Sequence, residues 1–207
     1  MMLGHHFDEL STPEQLHRFK QRYEAAIVSA SKGKTTTSVP MEYLDKARVF
    51  GLHDASRQLV GGFVINFEAP LLVLGTVPPS ARDAWLRVSP LRDQCELVAI
   101  WKAPHLPQAA AAFVLWPRII RECATAGRKY ILGLGYQNRM NAVYRVARPT
   151  QLYSGLRTDK PELRQHVTIY AYTPLSITLT YVTNLCTELV LKPPRRMLGR
   201  LRRRITH

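Results

Sequence analysis

The sequence predicts an α/β fold in which helices pack on both faces of a mixed β-sheet. Two observations carry this. Segments with apolar residues at helical spacing interleave along the chain with short runs rich in β-branched and aromatic residues, the pattern of layered helix and strand. The composition, 46% hydrophobic and 21% charged over 207 residues, is that of a globular chain long enough for one well-packed core. No repeat or linker divides it, so residues 1–191 read as one domain and residues 192–207 as a basic C-terminal tail.

The elements follow in order. "STPEQLHRFKQRYEAAIVSA" opens with Ser11 as a capping residue and Pro13 and Glu14 in the first turn. It then places Leu16, Phe19, Tyr23 and Ile27 at helical spacing. "SKGKTTTSVP" is a polar loop. "ARVFGLHDASRQLVGGFVINFE" reads as two strands around a turn at His53–Arg57, where Asp54 and Ser56 suit the turn; Gly61 and Gly62 mark a bulge or a close backbone approach. "VPPSARDAWLRV" is a short helix with Ser80 as its expected cap, and "CELVAIWK" is a strand. "PQAAAAFVLWPRIIRECATAG" is a helix with Phe113, Trp116, Ile120 and Cys123 on one face, interrupted by Pro117 and stopped by Gly127. "RKYILGLGY" is a strand and "NRMNAVYRVA" a short helix that Pro149 ends. "TQLYSGLR" and "HVTIYAYTPL" are strands. "SITLTYVTNLCTELVL" leaves strand and helix both open, since its β-branched content favours one and its length the other.

Charge is distributed unevenly. The net charge is +14, yet residues 1–117 carry 12 Lys and Arg against 11 Asp and Glu. Residues 118–207 carry 17 against 4, and the tail "KPPRRMLGRLRRRITH" holds seven Lys or Arg and no acid. Such a surface attracts a polyanion: an acidic protein, an anionic membrane or a nucleic acid. No helix-turn-helix, zinc or RNA-sheet motif accompanies the basic residues, which makes nucleic acid the less favoured partner. In the tail, Met197, Leu198, Leu201 and Ile205 fall near one side of a helix with Arg on the other, consistent with peripheral membrane contact through residues 192–207. The chain has no run of about 18 uncharged apolar residues, and "MMLGHHFDEL" lacks the order of a signal peptide, so a cytoplasmic protein is expected. Cys95, Cys123 and Cys186 read as reduced, buried and inert thiols. No His, Cys and carboxylate group has metal-ligand spacing, so no metal is expected, and His53 and His105 read as surface histidines. "GLGYQN" is too poor in glycine for a dinucleotide fingerprint.

From "CELVAIWKAP" through the helix to "YILGLGYQNRMNAVYRVARPTQLYSGL", the order of elements resembles the GNAT acyltransferase superfamily, over roughly residues 12–173. The resemblance implies a GNAT-like fold with a splayed mixed sheet: the strand at Glu96–Lys102 parts from the one at Lys129–Leu134, and the donor's pantetheine arm enters the gap. It also implies an acyl donor with phosphopantetheine, either acyl-CoA or an acyl carrier protein, an amine acceptor, and no permanently bound cofactor. Asn138, Tyr144 and Tyr153 to Gly155 match the family's later segments. "CELVAIW" is similar to the strand of acyl-homoserine-lactone and N-acyl amino acid synthases, with Glu96 at their Glu and Ala99 where they carry Arg.

The family's phosphate loop begins with Gln or Arg and carries glycines that let backbone N–H groups approach the donor at a helix N-terminus. Here Gln108 is followed by Ala109 and Ala110, whose Cβ atoms crowd that approach. A carrier-protein donor has no pyrophosphate to hold. Carrier proteins are acidic, so the basic half, with Arg118, Arg121 and Arg128 on the predicted helix and just past it, is expected to steer one in. By the resemblance, Tyr144 is the acid at the departing thiolate, the backbone of Ile100, Trp101 and Lys102 polarises the thioester carbonyl, and Gln108, Ala109, Ala110 and Asn138 help hold the donor. Glu96, a carboxylate in an apolar strand, is the expected base; the alternative is an ion pair with Arg92 or Arg128. Tyr144 is equally compatible with a core position on its helix.

Overall fold

The computed structural model describes residues 4–31, 38–136 and 149–186. The first elements are β1 (His6–Leu10), α1 (Pro13–Ser31), α2 (Met41–Leu44), the hairpin β2 (Arg48–His53) and β3 (Leu59–Asn66), α3 (Leu72–Gly75) and α4 (Pro79–Val88). Then come β4 (Gln94–Lys102), α5 (Gln108–Ala110), a π turn (Ala111–Leu115), α6 (Trp116–Thr125), β5 (Tyr130–Tyr136), β6 (Thr150–Leu156), β7 (His166–Tyr172) and α7 (Pro174–Cys186). The strands form one sheet in the order β1-β2-β3-β4-β5-β7-β6, antiparallel throughout except for the parallel β4–β5 pair.

Helices cover both faces. On one, Phe19 of α1 meets Trp101 edge-on at 6.0 Å, while Leu71, Val73, Leu74 and Trp85 from the α3–α4 region pack on Leu132, Ile169 and Ala171. On the other, Arg118 of α6 lies over the rings of Phe7 and Phe50, and the Tyr181 hydroxyl of α7 donates to the Ala112 carbonyl at 3.0 Å. Cys95 and Cys123 are buried here, and burial pushes both thiols up to about 12, which leaves them un-ionised at neutral pH; Cys186, expected to be buried as well, is exposed at the end of α7.

Several sequence expectations shift by a residue or a turn. The cap of α1 is Thr12 rather than Ser11: Thr12 Oγ1 accepts from the Gln15 amide at 3.3 Å, and Gln15 Oε1 accepts from the Ser11 and Thr12 amides at 3.0 and 3.1 Å. Helix α4 starts at Pro79, with Pro78 at the N-cap position and no side-chain cap, so Ser80 does not serve. Of the expected face, Cys123 is buried and Trp116 and Ile120 pack against the core, but Phe113 falls off it, because the π turn before Pro117 inserts an extra residue into the helical repeat. Proline removes one donor and crowds the preceding turn, and a wider turn accommodates both. Ala111, Leu115, Ile119 and Cys123 are buried as a result, while Phe113 is 38% exposed. Gly127 ends the helix at φ +64°. The ambiguous segment after β7 is helical as far as Cys186, the last described residue, its start fixed by mutual hydrogen bonds between Thr173 and Ser176. Strand β1 was not expected, since "HFDEL" has only two apolar side chains, Phe7 and Leu10, which do not alternate, at a sheet edge.

Candidate active site

The β4–β5 pair is short. Gln94, Cys95 and Glu96 pair with Tyr130, Ile131 and Leu132, and there the pairing stops. β4 runs on along β3 to Lys102, and β5 runs on along β7 to Tyr136. The two strands therefore part just beyond Glu96 and Leu132, and a wedge opens toward their C-terminal ends. This is the splay the sequence led us to expect.

A bulge lies in β4 just past the point of parting. Gly62 pairs with Trp101 and Val64 with Val98, so Ala99 and Ile100 together oppose Phe63. Ala99 adopts φ +50°, a left-handed conformation that costs a residue with a Cβ about 1–2 kcal/mol. The bulge re-aims the backbone of Ala99 and Ile100 where β5 no longer supplies ladder partners. The Trp101 side chain is buried against Phe19, so what β4 offers the wedge at that residue is backbone. Lys102 is committed to the following loop, its Nζ donating to the Leu106 carbonyl at 2.9 Å. Gln108 and Ala109 are exposed at the start of α5, behind Pro107 at the N-cap position, and Ala110 is buried.

Glu96 stands at the apex of the wedge with no exposed surface. Neither Arg92 nor Arg128 pairs with it. Its Oε1 accepts from the Tyr43 hydroxyl at 2.6 Å, Asn66 Nδ2 at 3.3 Å and the Leu72 amide at 2.8 Å; its Oε2 accepts from the Val73 amide at 2.8 Å. The carboxylate thereby holds the first turn of α3 and ties α2, β3 and β4 together. Burial raises its pKa, and the donors from Tyr43, Val73, Leu72 and Asn66 offset part of that rise. Burial and the adjacent carboxylate also push the Tyr43 phenol well above its ordinary value. Sequence reading missed Tyr43 and Asn66. The one available signal was that a carboxylate in an apolar strand must find donors somewhere.

The three arginines proposed as an anion surface do not act alike. Arg118 is packed under β1 and β2 and pairs with Glu122 at 2.8 Å, the same carboxylate that meets Arg48 at 3.2 Å. Arg128 donates to the Arg92 carbonyl and lies over Phe67. Arg121 is exposed on α6. Asn138, Tyr144 and the tail 192–207 lie outside the described residues, and no helix among the described residues is long and apolar enough to cross a membrane.

No protein family model and no curated protein matches this sequence. Solved structures do match its fold. FeeM, an N-acyl amino acid synthase from uncultured soil microbes, aligns with TM-score 0.65 at 14% identity over 87% of this chain and 96% of that one. MesI, a CoA-dependent acyl-homoserine lactone synthase, aligns with TM-score 0.53 at 14% identity over 86% and 94%. A GNAT family acetyltransferase from Elizabethkingia anophelis with acetyl-CoA bound aligns with TM-score 0.50 at 8% identity over 83% and 99%. The fold is that of the GNAT N-acyltransferases, as the order of elements implied.

Proposed function

We propose that this protein moves an acyl group, of fatty-acyl length, from a phosphopantetheine thioester to an amine acceptor, an amino acid or a peptide. The observation that carries the reading is the wedge between β4 and β5 with a backbone bulge at its inner wall. An extended pantetheine arm fits there as a stand-in for the missing strand partner, and backbone N–H groups of Ile100 to Lys102 would polarise the thioester carbonyl as it becomes tetrahedral. The likeness to FeeM and MesI supports the class of reaction.

In this reading Glu96 takes the proton of the attacking amine. It is enclosed, so the proton reaches it through the Tyr43 hydroxyl or a water, and its raised pKa brings it closer to the range useful for a base. The amine nitrogen forms the new bond to the acyl carbon, the carbon–sulfur bond breaks, and Tyr144 protonates the departing thiolate. Gln108, Ala109 and Ala110 at the start of α5, with Asn138, hold the donor's phosphate end. Alanines at that turn and the excess of basic residues in the C-terminal half favour an acidic acyl carrier protein over coenzyme A. Arg121 is the arginine of the three free to meet it, because Arg118 and Arg128 serve the fold.

Acyl-CoA and acyl-carrier-protein thioesters of several lengths, offered with a panel of amines and followed by product mass, test this. Amide formation is expected from both, faster from the carrier protein. Salt at about 0.5 M shrinks the difference, since the Debye length falls to a few ångströms. Arg121→Glu shrinks it too, with little effect on the coenzyme A rate. Absence of any amide product overturns the reaction class. Equal rates at every salt concentration overturn only the carrier-protein preference.

A further inference from the structure

We propose that His6, Asp8 and His53 form a site for a divalent transition metal of the Zn²⁺, Ni²⁺ or Cu²⁺ kind, which fastens the edge strand β1 to β2. The proposal is independent of the acyl-transfer reading. His6 and His53 are direct partners across the antiparallel β1–β2 pair, and Asp8 lies two residues further along β1, so all three side chains stand on one face. The two imidazoles stack with centroids 5.2 Å apart. Asp8 Oδ2 is 3.3 Å from His6 Nε2 and 3.2 Å from His53 Nδ1. One ligand atom from each of the three residues can be chosen so that all lie within 4.8 Å of one another.

The two Asp8–histidine separations suit coordination. A tetrahedral ion with bonds of about 2.0–2.1 Å has ligand atoms about 3.3–3.4 Å apart. The alignment points the same way. His53 Nδ1 is buried and makes no hydrogen bond, although the Asp8 oxygen is only 3.2 Å away. Two polar atoms this close that do not aim at each other have the arrangement of two ligands facing a common third point. Two imidazoles and one carboxylate select borderline metals over Ca²⁺ or Mg²⁺, which take oxygen ligands. A fourth position would be left for water.

The surroundings permit a cation. Asp54, the other carboxylate near His53, accepts from the Ser56 and Gln58 amides at 2.9 Å each through Oδ1, which ties it to the hairpin turn; Arg18 is the cation whose charge also acts on His53. Partial burial lowers the pKa of His53, favouring the neutral ring that can bind metal. The chain separation of the ligands, with β1 on one side and the hairpin on the other, explains why spacing along the sequence gave no hint.

The test uses untagged full-length protein, stripped with a chelator and titrated calorimetrically with ZnCl₂ and NiCl₂ at pH 7.5, with thermal melts alongside. One equivalent is expected to bind and to raise the melting temperature. Asp8→Asn and His53→Ala should each weaken binding by about 10-fold or more and abolish the metal-dependent rise. His6→Ala, at a side chain 47% exposed, provides the same comparison should His53→Ala fail to fold. No stoichiometric binding by the wild type, or binding and melting shifts that survive these substitutions, overturns the proposal.

Discussion

Glu96→Ala is expected to cost about 3 kcal/mol or more in stability, because it strands several buried donors at once at about 1–3 kcal/mol each. The Tyr43 hydroxyl and the Leu72 and Val73 amides would lose their acceptor, and Asn66 Nδ2 would keep only the Glu68 carbonyl. Glu96→Gln is milder. Its oxygen can replace Oε1, but its amide would face the Val73 N–H, a donor against a donor, at a cost of about 1–3 kcal/mol. Turnover should fall by about 10²-fold or more in the glutamine variant if Glu96 accepts the proton. Chemical denaturation and steady-state rates on the same preparations separate the two losses. The pH dependence adds a signature. A folded-state pKa raised above the unfolded value of about 4.3 gives a stability contribution that is whole below that value and is lost as pH rises through the folded-state value. The wild type should show that decline, and Glu96→Gln should lack it. Wild-type stability and rate in Glu96→Gln would remove Glu96 from both roles.

Gly62→Ala is the second large effect. A Cβ at Gly62 would press into the Phe50 carbonyl oxygen and lie 2.7 Å from Phe19 Cε2. The oxygen belongs to the paired β2 strand, so it cannot swing aside as a side-chain tip would, and Phe19, fully buried between α1 and the sheet, has no room to yield. Overpacking of this kind costs about 1–3 kcal/mol, and the upper end applies where backbone must move. Gly62 also pairs with Trp101 directly beside the β4 bulge, so a shift there would disturb the wall of the wedge. Gly75→Ala is the matched control: nothing lies within 4 Å of its added Cβ, and the change should be neutral or stabilise by up to about 1 kcal/mol. Thermal melts of the two variants should fall on opposite sides of, or far apart around, the wild-type value.

Most of the helices and strands could be read from the sequence because their signals are local. Periodicity marked α1, the β2–β3 hairpin, β4, β5, β6 and β7, and the paired glycines foretold the close approach at Gly62. The parting of β4 and β5 was an inference from resemblance, and the pairing bears it out. Three-dimensional choices were harder to see. Glu96 was recognisable as a buried carboxylate, but which donors meet it depends on α2 and α3 folding over the sheet, and nothing in "MEYLD" or "APLLVLG" announces that. Phe113 was misplaced because a π turn changes the helical period, and a pattern counted at 3.6 residues cannot anticipate it. Arg118 was read as a surface charge, whereas its length lets it lie over Phe7 and Phe50 and reach Glu122.

The central claim is that the wedge between β4 and β5 receives a phosphopantetheine thioester. Its most direct test is a titration of the labelled protein with a non-cleavable thioether analogue of acyl-phosphopantetheine, followed through backbone amide resonances. The account predicts saturable shifts at Ile100, Trp101 and Lys102 and, across the gap, at Gly133 to Tyr136, with β1 and β2 unchanged. No saturable shift, or shifts confined to residues away from these two strands, would contradict it.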